Sequence, residues 1–143
     1  MARISRSQSP GLLRTALVLL PCALLLAACS STPVSDERFR GLPDGMEGEQ
    51  QMDAPLVQWK NKPQSITVTT WGSSSCPPDA TDLELGAENN LTIYFESETE
   101  GACTADLAPT THVFTLPDDA QHSPLTVRIN SDGVTSPDRH VLD

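Results

Sequence analysis

The chain has 143 residues, which is enough for one small domain with tails and excludes a multidomain enzyme. It carries 19 Asp and Glu against 9 Lys and Arg, a formal net charge of −10, which argues against binding to nucleic acid. Aromatic residues make up only 4% of the chain.

The first 28 residues are typical of an export signal. Three arginines are the only charges before Cys29, and an uncharged apolar run extends from Thr15 to Ala28. A basic start, a short apolar stretch and small residues at its end are the parts of a secretory signal. The run is shorter than the ~20 apolar residues of a membrane-spanning helix, and Pro21 interrupts it. We therefore expect residues 1–28 to be a signal peptide.

The sequence Leu26-Ala27-Ala28-Cys29 resembles the lipobox of bacterial lipoproteins. The resemblance implies cleavage after Ala28, a thioether-linked lipid on Cys29 and acylation of the new amino terminus. Two or three acyl chains hold a small protein durably at a membrane, because each buried CH₂ contributes about 0.8 kcal/mol. Cleavage leaves 6 basic against 19 acidic residues, a formal net charge of −13. The sequence thus predicts a lipid anchor on the extracytoplasmic face of the cell membrane; the alternative is an ordinary secretory peptide with Cys29 incidental.

Residues 29–53 are predicted to be a lipidated, disordered linker. They are rich in Ser, Gly, Pro and acidic residues and show no hydrophobic periodicity. As a flexible coil, the ~24 residues after Cys29 would reach roughly 25–30 Å.

Residues 54–143 are predicted to be an all-β domain, because apolar and polar residues alternate and turn signals recur about every ten positions. Tandem prolines make residues 72–79 a loop. The expected fold is a small antiparallel β-sandwich, immunoglobulin-like only in broad architecture, since both tryptophans precede Cys76; a small barrel is the alternative. The predicted strands are 56–59, 65–71, 81–85, 90–96, 111–116, 125–129 and 140–142.

Two cysteines remain when Cys22 leaves with the signal and Cys29 takes the lipid. Cys76 and Cys103 form an even pair without CxxC spacing in an exported protein, which predicts a structural disulfide. Closing a loop of about 28 residues stabilises a fold by roughly 3.6 kcal/mol on the chain-entropy estimate. A redox-active pair is the weaker alternative, because no basic residue lies near either cysteine in the sequence.

Candidate catalytic residues are few. Ser73–Ser75 lack the second glycine of a nucleophile elbow and are interpreted as a polar loop beside the disulfide. A carboxylate pair such as Asp79 and Asp82 is able to do acid–base chemistry, but no sequence feature places it around a cleft. The three histidines follow no metal-binding spacing and are expected to be exposed. We therefore expect no enzyme, no cofactor and no metal site.

The one sequence hint of a binding surface is Trp71 together with Tyr94. Aromatic side chains beside small polar residues stack on sugars or on a protein partner. The alternative is that Trp59 and Trp71 both lie in the core, which an aromatic-poor domain favours.

The segments WGSSSCP at 71–77 and CTADLAPTTHVFTLP at 103–117, together with the lipobox, resemble short actinobacterial lipoproteins of uncharacterised function. The resemblance implies a small exported β domain with a cystine. Three functions are compared: a non-catalytic binding or structural module of the envelope whose partner is an envelope protein or glycan, a small-ligand or metal-ion binding lipoprotein, and a wall- or peptide-directed hydrolase. The first is the prediction.

Overall fold

A computed structural model describes residues 34–46, 52, 54–97, 101–132 and 137–143. These residues form a sandwich of two four-stranded sheets with the Cys76–Cys103 disulfide, which confirms the predicted all-β fold. The predicted signal peptide and Cys29 lie outside the described residues. The strands are β1 Glu37–Arg40, β2 Leu56–Asn61, β3 Ser65–Gly72, β4 Asp79–Gly86, β5 Asn90–Glu96, β6 Ala108–Thr115, β7 Leu125–Ser131 and β8 Asp138–Leu142, with a 3-10 turn at Asp118–Ala120.

The two sheets differ in how their strands run. Sheet A has the order β1-β6-β3-β2, and every pair in it is antiparallel. Sheet B has the order β4-β5-β7-β8 and contains one parallel pair, β5–β7. After β5 the chain crosses to sheet A for β6 and then returns to sheet B, so it reverses twice between β5 and β7. The expected sandwich is therefore antiparallel except at this pair.

The core lies between the sheets and follows the predicted alternation. On β5, Leu91, Ile93 and Phe95 are 0–2% exposed, whereas Thr92 and Tyr94 on the other face are half-buried. Each large apolar side chain removed from water contributes about 1.5–3 kcal/mol. The buried core comprises these three residues together with Ile66, Val68, Phe114, Leu116, Ala120, Leu125, Val127 and Ile129.

The outer face of sheet A is also buried, although its side chains are polar. Thr69 and Thr111 are 1% and 0% exposed, and their hydroxyl oxygens lie 2.8 Å apart. The Thr111 hydroxyl donates to the carbonyl of Gly41 at 2.7 Å, so Thr69 donates to Thr111. The backbone of the segment after β1 therefore covers this face and accepts the hydrogen bond of Thr111, and nearby Pro43 is buried as well. The Thr67 hydroxyl on the same face is buried without a hydrogen-bond partner.

This covering segment corrects the linker prediction for residues 29–53. Residues 34–46 belong to the sandwich, because β1 pairs with β6 along four residues. Three of the four side chains of β1 are charged, so hydrophobic periodicity cannot detect the strand. Backbone hydrogen bonds and two ion pairs hold it instead: Arg38 with Asp79, and Lys60 with Glu37 at 2.9 Å.

The strand directions define two ends of the sandwich. At the upper end, the connections that follow β1, β3, β5 and β7 lie together. At the lower end β1 begins, β8 ends, and the β2–β3, β4–β5 and β6–β7 connections turn. The residues just before β1, beginning with the described Val34, therefore lie at the lower end.

Charged side chains and bulges mark the edge strands. β4 carries Asp79, Asp82 and Glu84 and has a bulge between Ala80 and Asp82, and β2 has a bulge near Lys60. The sheets are also linked along both edges. Arg38 of β1 pairs with Asp79 of β4, and beside β2 the Trp59 indole N–H donates to the carbonyl oxygen of Asp143 at 3.1 Å.

Replacing both disulfide cysteines, Cys76→Ala with Cys103→Ala, should lower the free energy of unfolding by about 3.6 kcal/mol. The 27-residue separation closes a loop whose entropy the unfolded chain regains when the bond is absent. Urea unfolding of the full chain measures the change as a lower midpoint. Reduced wild-type protein should match the double variant, and an unchanged midpoint for both would contradict the prediction.

Candidate functional site

The disulfide lies at the upper end and joins two connections that cross between the sheets. Cys76 follows β3 and Cys103 follows β5, and their Cα atoms are 5.5 Å apart. The bond therefore ties the crossing from sheet A to sheet B to the crossing in the opposite direction. This confirms the predicted pairing.

A polar cluster surrounds the bond and accounts for the serine run. The Ser73 hydroxyl lies 2.9 Å from that of Thr104, and the Ser75 hydroxyl accepts the Thr104 backbone N–H at 2.9 Å. The Asp106 carboxylate accepts the Ser74 N–H at 3.0 Å and the Thr104 hydroxyl. Hydrogen bonds from Ser74 and then Thr104 hold the pKa of Asp106 well below its usual range. The serines thus join two loops, as the polar-loop interpretation predicts.

The carboxylates considered for acid–base chemistry each have a separate structural contact. Asp79 is paired with Arg38 across the sheet edge. Asp82 accepts the backbone N–H of its neighbour Leu83 at 2.8 Å, and both aspartates are exposed.

The prediction of exposed histidines is wrong for His112, which is 0% exposed on the inner face of β6. Its Nε2 lies 3.2 Å from the Pro78 carbonyl oxygen, which only accepts, so Nε2 carries the proton and Nδ1 faces the Ser35 hydroxyl at 3.4 Å. The ring packs edge-on against Phe95 at 5.1 Å. Burial lowers the pKa of His112 below its usual value and outweighs the opposite effects of Pro78 and Asp79.

The other two histidines differ from His112 and from each other. His122 is exposed, as predicted. His140 is half-buried, and burial lowers its pKa despite the nearby charge of Asp138. Within the described ranges, no group of three or more His, Cys, Asp or Glu side chains is arranged to hold a metal ion.

Trp71 and Tyr94, the predicted binding surface, belong to different sheets. Trp71 is half-buried at the end of β3 in sheet A. Tyr94 lies on the outer face of β5 in sheet B, and its hydroxyl donates to Glu84 at 2.9 Å. This hydrogen bond, more than the nearby negative charges, raises the pKa of Tyr94. Trp59 packs against the core from its half-buried position on β2.

Trp71 lines a pocket of about 250 Å³ at the upper end, which we call the upper pocket. It occupies the mouth of the space between the sheets, where β3, β5 and β7 end and β8 begins. Its walls combine aromatic rings, hydroxyl groups and two carboxylates, and Tyr94 does not line it. The residues that define its chemistry are Thr70, Trp71, Phe95, Ser131, Asp132 and Asp138.

A second pocket, of about 460 Å³, lies on the outer face of sheet A beneath the segment that follows β1. Phe39, Pro43 and Trp59 contribute its apolar walls. Of the charges that line it, Glu37 and Lys60 form an ion pair, and Asp44 has no ion pair among the described residues. The upper pocket is the candidate site, because it contains the predicted Trp71 and two carboxylates that form no ion pair within the described part of the chain.

Sequence reasoning found Trp71 but missed the two aspartates of the upper pocket. Asp132 and Asp138 flank the β7–β8 connection. Aspartate is common in turns, so its presence in such a connection does not by itself indicate a binding site. The parallel pairing of β7 with β5 places them at the upper end of sheet B, and no local sequence pattern predicts that pairing.

Below about pH 6.5, the free energy of unfolding should fall as the pH falls. The unfolded chain takes up a proton on His112 near pH 6.5, whereas the buried ring takes it up only at lower pH, so acid favours the unfolded state. Each such histidine contributes at most about 1.4 kcal/mol per pH unit, and His140 acts in the same direction. Urea unfolding at a series of pH values measures the slope.

The variant His112→Gln keeps an N–H donor for the Pro78 carbonyl and should reduce this slope. His122→Gln, at an exposed histidine, is the matched control and should leave it unchanged. A slope in His112→Gln equal to that of the wild type would show that His112 is not responsible.

Comparison with protein-family models, with curated proteins and with solved structures finds no match to this chain. Across the part of the chain that the structure describes, no helix is long and apolar enough to span a membrane.

Proposed function

We propose that this chain is a lipid-anchored protein of the extracytoplasmic face of the cell membrane, where its β-sandwich is a non-catalytic binding or structural module of the envelope. The observation that carries the proposal is the Cys76–Cys103 disulfide. Structural disulfides persist in oxidising compartments, so the bond agrees with export from the cytoplasm. The lipobox-like sequence that ends at Cys29 supplies the anchor.

The revised boundary of the sandwich shortens the tether in this proposal. Val34 follows Cys29 by five residues, and five extended residues span at most about 18 Å. Because Val34 precedes β1 at the lower end, that end lies nearer the bilayer and the upper end faces away from it. The mature charge of −13 repels anionic lipid headgroups and favours a body that stands off the bilayer.

The contacts of the upper end favour a module over a hydrolase. The hydroxyl groups of the serine run bond to Thr104 and the backbone, and Asp106 is occupied by donors from Ser74 and Thr104. These groups hold two loops in a fixed arrangement beside the upper pocket, which suits recognition.

The variant Cys29→Ser should lose its lipid. In a bacterium that processes lipoproteins, the wild-type protein should incorporate an alkyne-labelled fatty acid and enter the detergent phase on phase separation. Cys29→Ser should be unlabelled and remain in the aqueous phase, because oxygen cannot replace the thiol in the thioether.

Cys22→Ser is the matched control, since it removes a thiol from the same signal region and should leave labelling unchanged. Equal labelling of wild type and Cys29→Ser, or no label on either, would refute the anchor.

A further inference from the structure

The outer face of sheet B carries a row of side chains with opposite charges at its two ends. On β5 and β7 every second residue is buried in the core, so the residues between them lie on the outer face. The cross-strand partners that form this row, from β4 to β8, are Glu84, Thr92, Arg128 and Arg139. The acidic end of the row therefore lies on β4, and the basic end lies on β7 and β8.

The two arginines of this row lie directly opposite each other. Arg128 and Arg139 are partners in the β7–β8 pair, and both side chains are exposed. Like charges on directly opposite residues destabilise a sheet. Neither arginine belongs to an ion pair among the described residues. Only six basic residues follow Cys29 in the sequence, so two of them together on one face indicate an anionic partner.

The acidic end of the same row provides such a partner on a second molecule. Glu84 is exposed and accepts the Tyr94 hydroxyl at 2.9 Å, which leaves its carboxylate free to accept further donors. Asp82, the preceding outer residue of β4, is exposed as well. Within one molecule β5 separates β4 from β7, a distance of about 9–10 Å, and no ion pair in the described part of the chain spans it. Both ends of the row are therefore available to another copy.

Two copies placed face to face on a two-fold axis satisfy both ends of the row. An axis that runs parallel to the strands, between β5 and β7, lays β4 of each copy over β8 of the other. Glu84 then faces Arg139 of the second copy, and this contact occurs twice. A two-fold axis that runs across the strands would instead lay β4 over β4 and β8 over β8, which brings like charges together.

The neighbouring rows and the size of the face agree with a weak dimer of this kind. Val141, which is 48% exposed, faces Gly86 of the second copy, and Tyr94 faces Asn130 near the centre, where tyrosine is common in interfaces. Four strands of about seven residues present roughly 400 Å² per copy, which is the size of a transient contact.

We propose that the outer face of sheet B binds the same face of a second copy of this chain, with Glu84 of each copy paired to Arg139 of the other. The axis parallel to the strands keeps the lower ends of both copies on the same side, so the dimer is compatible with two chains anchored in one membrane. This inference goes beyond the proposed function, and the contact itself does not require a lipid on Cys29.

Sedimentation equilibrium of the full chain, in a density-matched detergent with micelles in excess over protein, measures the association. At concentrations up to about 500 μM the wild type should follow a monomer–dimer equilibrium. Glu84→Arg should raise the dissociation constant at least tenfold, because repulsion replaces attraction at two symmetric positions. The charge-swapped variant, Glu84→Arg with Arg139→Glu, should regain most of the association, since opposite charges face each other again.

Asp119→Arg makes the same change of charge in the exposed 3-10 turn at the lower end and is the matched control, which should dimerise as the wild type does. Urea unfolding checks that each variant is folded, and Arg139→Glu tests the same contact from its other side if Glu84→Arg is not. A wild type that is monomeric throughout this range would overturn the proposal and leave the face to a different partner. A dimer that persists unchanged in Glu84→Arg, or a folded charge-swapped variant that stays monomeric, would overturn it too. None of these results affects the fatty-acid labelling of Cys29.

Discussion

The Cys76–Cys103 bond constrains the two places where this chain first crosses between its sheets. The connection after β3 leaves sheet A, and the connection after β5 returns to it, so each determines how one sheet lies on the other. A body of about 110 residues buries only some 60–70% of its unfolded surface. Covalent closure of the upper end therefore compensates for a small core. Around the bond, the hydrogen bonds of Ser73, Ser75 and Thr104 continue the same restraint without large apolar side chains.

The strands were predictable because one face of each strand in sheet B meets the core and the other meets solvent. The segment 90–96 shows this best, since its predicted bounds agree with β5 at both ends. In sheet A the same pattern is misleading, because Thr69 and Thr111 lie on the outer face and are as buried as Val68 on the inner one. The segment that follows β1 covers this face and causes the burial. The hydrophobic pattern of a single strand cannot predict such a contact with a distant part of the chain.

The residues that sequence reasoning missed are held by contacts between distant parts of the chain. β1 is recognisable only from its partners, because its backbone pairs with β6 and its charges meet β2 and β4. The burial of His112 depends on Ser35 and Pro78, which lie 77 and 34 residues away in sequence. Of the candidate site, the cystine followed from counting thiols, and Trp71 followed from composition. The two aspartates of the upper pocket required the parallel pairing of β5 with β7, which needs the whole topology.

The charged edge strands have a consequence for the lipid anchor that we propose. Molecules anchored in a bilayer diffuse in two dimensions and meet far more often than the same molecules in free solution. An open sheet edge is a template for pairing with another copy, and β4 and β2 lie at such edges. The acidic residues Asp79, Asp82 and Glu84 and the bulges of both strands oppose that pairing. On the lipid anchor proposed above, these two edges would therefore resist forming continuous sheets between neighbouring molecules.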